Sequence, residues 1–483
     1  MSLTGRTEQD EPRGETTAGP RDGARVAGRA DVDGAAGDRE YRLPPGPKTP
    51  ALFNGIAFLS ARPRLMHRFR RRYGDAFTVR MPALGRMVVL SHPELIKQVF
   101  TAPPDVLYGG INPLGEMLGP GSLFSMDEDE HLEERRMLLP SFHGDRMRSY
   151  ESLIEEEALR RMDEWPEGEE FATLDSFQAI TLRVILRAIF GAKGAELRDL
   201  EELMPPFTAL GQRLVTFKLL RRNLGPWSPG GRFRRMSERY RALVDDLITE
   251  HLADPRLEER IDILALMLVA ARERGEIDRS ALGDELLTLL VAGHETTASA
   301  LAWSVERLRR HPSALRRLEE EAAGEGSTLR LATINEVLRV RPVIGGTVRV
   351  AVKPFELGEW LIPPGTVLSP SAALTHVDER FHPGAETFEP DRYVGRKPDT
   401  YAWIPFGGGT RRCLGAAFAQ FEMDIVLRTM LRRFELVPTE APAEELSFRG
   451  VAFAPAKGGR AVVRRRPAPL APRRDEAPAP ALA

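Results

Sequence analysis

A single cysteine, Cys413, stands in a chain of 483 residues, and its neighbours suit a metal-ligating sulfur. Trp403 to Gly415 reads W-I-P-F-G-G-G-T-R-R-C-L-G: an apolar lead-in, three glycines for a tight backbone path, then two arginines. From Leu414 to Phe434 apolar residues recur at helical spacing, which predicts a helix with Cys413 at its N-terminus. Free N–H groups there favour a negative sulfur, and a thiolate ligates metals strongly. The same sulfur also reads as a small buried hydrophobe, the common fate of a lone cysteine.

A second chemical stretch lies in a helix expected over Ala281 to about Arg310, started by Asp278 or Ser280. Leu286, Leu287, Leu289, Leu290, Val291 and Ala292 leave it no continuous polar face, so its middle crosses the core. Gly293, His294, Glu295, Thr296 and Thr297 interrupt that apolar run, and polar groups inside a buried helix need partners or a purpose. A zinc protease is excluded, because H-E-x-x-H requires a histidine where Ala298 stands. His131 and Arg135 share one helical face, as do Glu336 and Arg339; each pair reads either as an anion or ion-pair site or as a solvated charged face.

Phe406, Gly409, Arg411, Cys413 and Gly415 fit F-x-x-G-x-R-x-C-x-G. Before them come A-G-H-E-T-T from Ala292, E-x-x-R-x-x-P from Glu336 and P-x-R at Pro390 to Arg392. In this order and set, the chain resembles the cytochrome P450 family over roughly Arg42 to Arg464. The resemblance implies haem b with Cys413 as axial thiolate, pushing electron density toward O–O cleavage. It implies further haem contacts from Ala292, Phe406, Gly409, Arg411 and Gly415, and propionate contacts from His131, Arg135 and Arg349. Glu295 and Thr296 become the acid and alcohol of oxygen activation, while Glu336, Arg339 and Arg392 form a buried triad supporting the cysteine loop. Two positions depart from the family's pattern: Glu128 stands where a glycine is frequent, and Glu295 where bacterial members more often carry aspartate.

The elements that position these residues follow from composition and period. With 42% hydrophobic and 29% charged residues the chain can bury a large core. A net charge of −2 gives no overall pull toward nucleic acid, and one cysteine excludes an intramolecular disulfide framework and suits the cytoplasm. No stretch reaches the length of a membrane anchor. Residues 1–40 and 465–483 read as disordered tails on composition, leaving 41–464 as one domain. Short strands are expected at Phe77–Met81, Met87–Leu90, Thr347–Val350, Phe355–Leu361 and Thr366–Ser369, with a last small sheet from Phe434–Val437, Val451–Phe453 and Ala461–Arg464. Tyr150 to His251 reads as helical, broken at Pro205–Pro206 and at Gly225–Gly231. Phe207 to Leu220 is either a lid facing apolar ligands or plain amphipathic packing.

The expected fold is mainly α with a smaller β part, with haem between the long central helix and the cysteine-loop helix. The resemblance implies monooxygenation of a hydrophobic small molecule by O2. Electrons arrive from separate ferredoxin- or flavodoxin-type proteins, since the chain leaves no room for a flavin or nicotinamide domain. A haem-thiolate peroxygenase or isomerase, or a non-enzymatic haem sensor, are the alternatives. The protein is expected to be a cytoplasmic monomer without nucleic-acid partners.

Overall fold

The apolar run in the second chemical stretch has no side fit to face water, and the helix containing it, Arg279–Leu308, is buried along most of its length. Asp278 caps it, accepting the Ala281 N–H at 3.0 Å. The helix lies against Thr173–Phe190, and the Thr181 hydroxyl donates to the His294 carbonyl across that junction at 2.8 Å. Gly293 permits the close approach: a Cβ there would lie 2.5 Å from Ile185 Cδ1.

The computed structural model describes residues 40–82, 84–109, 115–142, 144–450, 452–468 and 470. Of the tails expected to be disordered, 1–40 and 465–483, residues 1–39 and 471–483 lie outside the described residues, and the folded unit begins at Tyr41. Helices dominate, and a five-stranded sheet stands beside them in the order Ala76–Met81, Gly85–Leu90, Val367–Pro370, Arg349–Ala351, Leu107–Tyr108. Only the pair Gly85–Leu90 with Val367–Pro370 is parallel. Alternation along Gly85–Leu90 sends Val88 and Leu90 into one apolar cluster and Met87 and Val89 into another. The architecture is therefore mainly helical with a smaller β part. Among the described residues no helix is long and apolar enough to cross a membrane.

Four local expectations are corrected. The helix Gly194–Thr216 runs through Pro205 and Pro206 without a break. Each proline frees the carbonyl four residues back, and this costs little where water reaches it; both prolines and Glu202 are exposed. Phe355–Leu361 is a hairpin, Phe355–Leu357 paired with Trp360–Ile362, because Gly358 turns the chain with φ +58°. The C-terminal strands do not form one sheet: Val463–Arg465 pairs with Phe434–Leu436, Leu446–Arg449 with Ala452–Pro455, and Arg460–Ala461 with Phe171–Ala172. Hydrogen bonding also continues past Arg464. Arg466 Nε donates to the carbonyls of Leu431 at 3.1 Å and Phe434 at 3.2 Å, and the Leu470 N–H donates to Arg432 at 3.0 Å.

Candidate active site

On the central helix burial lapses along one face. Ala292 is exposed and Leu289, Gly293 and Thr296 are only partly buried, while the flanking turns are closed. These positions lie one above another at helical spacing, so an opening runs beside the middle of a core helix. The Thr296 hydroxyl donates back to its own helix, to Ala292 O at 2.8 Å, leaving its lone pairs free to accept. Glu295 is buried and accepts from the side-chain amide of Gln212, on the Gly194–Thr216 helix. Burial pushes its carboxyl up to about 7, although Arg449 and Gln212 pull the other way.

The cysteine loop is shaped by what it packs against. Gly407 and Gly409 take φ +67° and +66°, and a Cβ on Gly408 or Gly409 would stand 2.2 Å from Phe100, from its ring or its carbonyl oxygen. The Cys413 N–H closes the loop onto Phe406 O at 2.9 Å. The following helix spans Ala416–Arg433, with Gly415 as its cap residue. Cys413 is accessible, yet protein surrounds it deeply enough for burial to raise its thiol; a sulfur on the wall of an internal opening satisfies both. The Gly415 backbone, Arg135 and Arg412 favour the thiolate, as a helix N-terminus should, but burial outweighs them. A metal cation at the sulfur reverses that balance. Gly415 has ordinary backbone geometry, φ −86°, and no heavy atom within 4 Å of where a Cβ would lie. Packing within the chain therefore does not explain this glycine, whereas a flat group beside Cys413 does.

Cationic groups gather nearby. His131 and Arg135 lie on the helix Glu128–Leu138, Arg349 on a sheet strand, and Arg411 in the cysteine loop. His131 is neutral and not the second cation the sequence suggested: burial, then Arg411, Arg135 and Arg349, hold its pKa down to about 3. Burial and Arg411 lower Arg349 to about 10, and Arg349 donates to Gly408 O at 3.0 Å. Arg411 pairs with Asp127 and donates to the carbonyls of Leu123 and Met126, so it holds the loop before the His131 helix. Asp127 in turn accepts the Gly109 N–H at 2.8 Å. Arg135 has no ion-pair partner among the described residues. Three arginines against one carboxylate leave a positive excess, which matches the two carboxylates of a haem. Together with the accessible sulfur and bare Gly415, the donor set fits that group.

Glu128 has φ +50°, the one positive value among described non-glycine residues, at the position where the family pattern favours glycine. Its carboxylate accepts from the Tyr108 hydroxyl, which pushes that phenol up to about 12.

A clamp stands behind the cysteine loop. Arg339 makes two 2.7 Å bonds to Glu336 and three of 2.8 Å to the carbonyls of His376, Ala385 and Thr387. Arg392 lies 3.4 Å from the Glu336 carboxylate. His376 accepts the Ile404 N–H at Nε2 at 2.8 Å, so its proton is on Nδ1, which donates to Arg339 O at 3.2 Å. His382 Nε2 donates to Ala402 O at 3.0 Å, and Trp403 Nε1 to Asn335 O at 3.1 Å. The clamp thus fixes residues 402–404, just ahead of the loop. The spacing of these two histidines in the sequence carries no sign of the loop they brace.

Of the apolar segments that could line a ligand space, Val343, Phe453 and the central helix are joined: Phe453 N–H donates to Val343 O at 2.8 Å and Trp303 Nε1 to Phe453 O at 3.0 Å. Phe207 instead packs into the core, stacked on Phe233 with ring centroids 4.8 Å apart. A cavity of about 190 Å³, bounded by Met66, Met87, Val340, Gly345, Leu446 and Phe453, is lined by neither Cys413 nor Thr296, so it is not the site of chemistry.

The sequence model of the family described as Cytochrome P450 matches residues 44–459. Cytochrome P450 138 of Mycobacterium tuberculosis is 51% identical over 428 residues, covering 88% of this chain and 97% of that protein. Cytochrome P450 137 of the same species is 38% identical over 439 residues, covering 88% and 91%. Among solved structures, retinoic acid-bound cyanobacterial CYP120A1 superposes with a TM-score of 0.77 at 23% identity, covering 89% of this chain and 100% of that one. The haem domain of cytochrome P450DA gives 0.76 at 20% identity, covering 89% and 99%.

Proposed function

The chain belongs to the cytochrome P450 family of haem-thiolate monooxygenases, and we propose that it inserts one oxygen atom from O2 into a hydrophobic small molecule. The observation that carries this reading is the accessible Cys413 sulfur deep in the fold, beside a glycine with nothing packed on it. When bound, haem b supplies the redox-active iron at which oxygen is activated.

Each residue then has a task. Cys413 would hold the haem iron through its thiolate, whose negative charge Arg135 and Arg412 favour. Arg349, Arg411 and the neutral His131 would hold the propionates, with Arg411 sharing its donors with Asp127. Phe406, Gly409, Gly415 and Ala292 shape the slot by being flat or small. Glu295 holds a proton near neutral pH, where a relay acid is most effective, and Thr296 offers a hydroxyl on the open face of the helix. A buried acid kept near neutrality serves proton delivery, which a haem sensor does not need.

Electrons come from separate ferredoxin- or flavodoxin-type proteins, for which the exposed Arg136 and Arg412 beside Arg135 form a basic contact. We assign the protein to the cytoplasm as a monomer with no nucleic-acid partner.

The test is the absorption spectrum of the purified protein, reduced with dithionite and exposed to carbon monoxide. A strongly red-shifted Soret band is expected, and Cys413→Ser should abolish it. Absence of haem, or a band typical of histidine ligation in the wild type, overturns the assignment. Product formed with hydrogen peroxide alone, as fast as with the redox proteins, would favour a peroxygenase.

A further inference from the structure

The cavity of about 190 Å³ that neither Cys413 nor Thr296 borders lies among the helix Ala51–Tyr73, the sheet strands Gly85–Leu90 and Val367–Pro370, and the hairpin strand Ala452–Pro455. Met66, Met87, Leu374 and Phe453 make much of its wall apolar. At interior packing density it has room for about ten non-hydrogen atoms.

One cation on that wall lacks a counter-ion. Arg341 follows the helix Thr328–Val340, and its guanidinium lies over the buried Trp303 ring, 5.3 Å from the centroid. Its Nη1 donates only to the neighbouring Val340 O at 2.9 Å, its Nε is buried with no partner, and it forms no ion pair among the described residues. Glu306, the acid whose charge reaches it, is already taken by Arg307 at 2.7 Å, Arg310 at 3.1 Å and the Glu444 N–H at 2.8 Å. Burial, then Arg307, lower the Arg341 pKa to about 10, so the side chain stays charged at neutral pH and gains from any anion that reaches it.

The other polar groups on the wall can donate. The hydroxyls of Ser369 and Ser371 border the cavity and have no hydrogen-bond partner among the described residues; Ser371 precedes a short helix without capping it. His67 is held below 6.5 by burial and Arg70, and adds a neutral ring instead of a second charge. Arg339 spends its donors in the clamp. Among the described residues no acid borders the cavity.

We propose that this cavity is a second ligand site, taking a small carboxylic acid of about the size of octanoate, with the carboxylate on Arg341, Ser369 and Ser371 and the hydrocarbon body against Met66, Met87, Leu374 and Phe453. A carboxylate places two oxygens against the guanidinium fork for a single charge. A phosphate monoester would bring about two charges to one cation in an apolar wall. The site is separate from the reaction at Cys413 and does not depend on that reading.

The experiment titrates octanoate, 1-octanol and inorganic phosphate into the full-length haem-loaded protein by calorimetry, with the Soret band followed in parallel to report any ligand beside the haem. Saturable octanoate binding with a Kd of about 1 mM or below is expected, and at least about tenfold weaker binding of octanol. Arg341→Gln should melt close to the wild type, since the guanidinium holds one carbonyl of its own segment, and should lose about tenfold or more in octanoate affinity. Ala373→Leu, which keeps the arginine and fills the cavity, should lose the binding as well. Any Soret response to octanoate should survive in both variants. No saturable octanoate binding, octanol or phosphate binding as tight as octanoate, or variants that bind octanoate like the wild type would each overturn the proposal. So would octanoate heat that tracks the Soret response through both variants, because the ligand would then sit beside the haem.

Discussion

Gln212 donates its side-chain N–H to Glu295 across 83 residues of sequence, joining the Gly194–Thr216 helix to the one acid on the open stretch of the central helix. Gly450, at φ +73°, closes on Gln212 from the other side: a Cβ there would lie 3.0 Å from the Gln212 Cβ. A hydrogen bond to a carboxylate favours the charged form, so Gln212→Leu should raise the Glu295 pKa above its present value of about 7. The midpoint of turnover against pH is expected to move upward by roughly one unit, and Glu295→Gln should remove that limb. A kcat profile from pH 5.5 to 9, with substrate saturating, distinguishes the two.

Thr296→Ala should leave haem content unchanged, since the hydroxyl bonds only to its own helix. Loss of a positioned proton-transfer group costs about 10²-fold or more in the step it serves. Product per electron pair is expected to fall, and hydrogen peroxide to rise in proportion. Simultaneous assay of reductant consumed, product and peroxide measures this, and unchanged coupling would count against the role.

His376 gives a pH-dependent lock on the cysteine loop. Burial and His382 hold its pKa at about 3 in the fold, against 6.5 when free, so the unfolded chain takes up the proton first. Its contribution to stability is whole above pH 6.5 and is lost as pH falls toward 3. At pH 5 the loss reaches about 2 kcal/mol. Urea unfolding should show the wild type losing more stability than His376→Gln between pH 7 and pH 5. At pH 7 the variant should itself be weaker by about 1 to 3 kcal/mol, because a buried group loses its partner.

Glu422, on the cysteine helix, is fully buried with no partner for either carboxylate oxygen among the described residues. Burial pushes it up to about 8 from 4.5. Here the sign is opposite to that of His376. The neutral acid suits the fold, the contribution is whole below pH 4.5, and it declines as pH rises to about 8. Glu422→Gln should therefore gain on the wild type between pH 5 and pH 8, by on the order of 3 to 5 kcal/mol at most. Thermal melts at the two pH values test it, and parallel curves would contradict it.

Charge reversal at the exposed Arg412 should slow reduction by an acidic ferredoxin about tenfold at low salt and flatten its salt dependence. Stopped-flow reduction under carbon monoxide reads this directly.

Local spacing made much of the architecture legible. The central helix was expected over Ala281–Arg310 and spans Arg279–Leu308, and the strands at 76–81 and 85–90 lie within a residue or two of their alternating patterns. Cys413, Ala292 and Thr296 were named from motifs, and all three have accessible surface deep in the fold. What stayed hidden is long-range. Phe100 under the glycines, Asp127 on Arg411, Gln212 on Glu295 and His376 on Ile404 are contacts between segments far apart in the chain, and no local period records them. Pro205 and Pro206 misled for a related reason: the water that satisfies their freed carbonyls depends on which helix face is exposed, not on the prolines. His131 reads as a cation until the arginines that crowd it are placed.

The raised thiol of Cys413 bears on assembly as well as ligation. Until a metal arrives, the chain's only thiol remains protonated and a poor nucleophile, which protects it from oxidation and alkylation while the protein waits for its cofactor. Loading then expels a proton from the sulfur. Acid consequently opposes loading, and a newly made chain in the cell carries its reactive group in a latent form that only the metal unmasks.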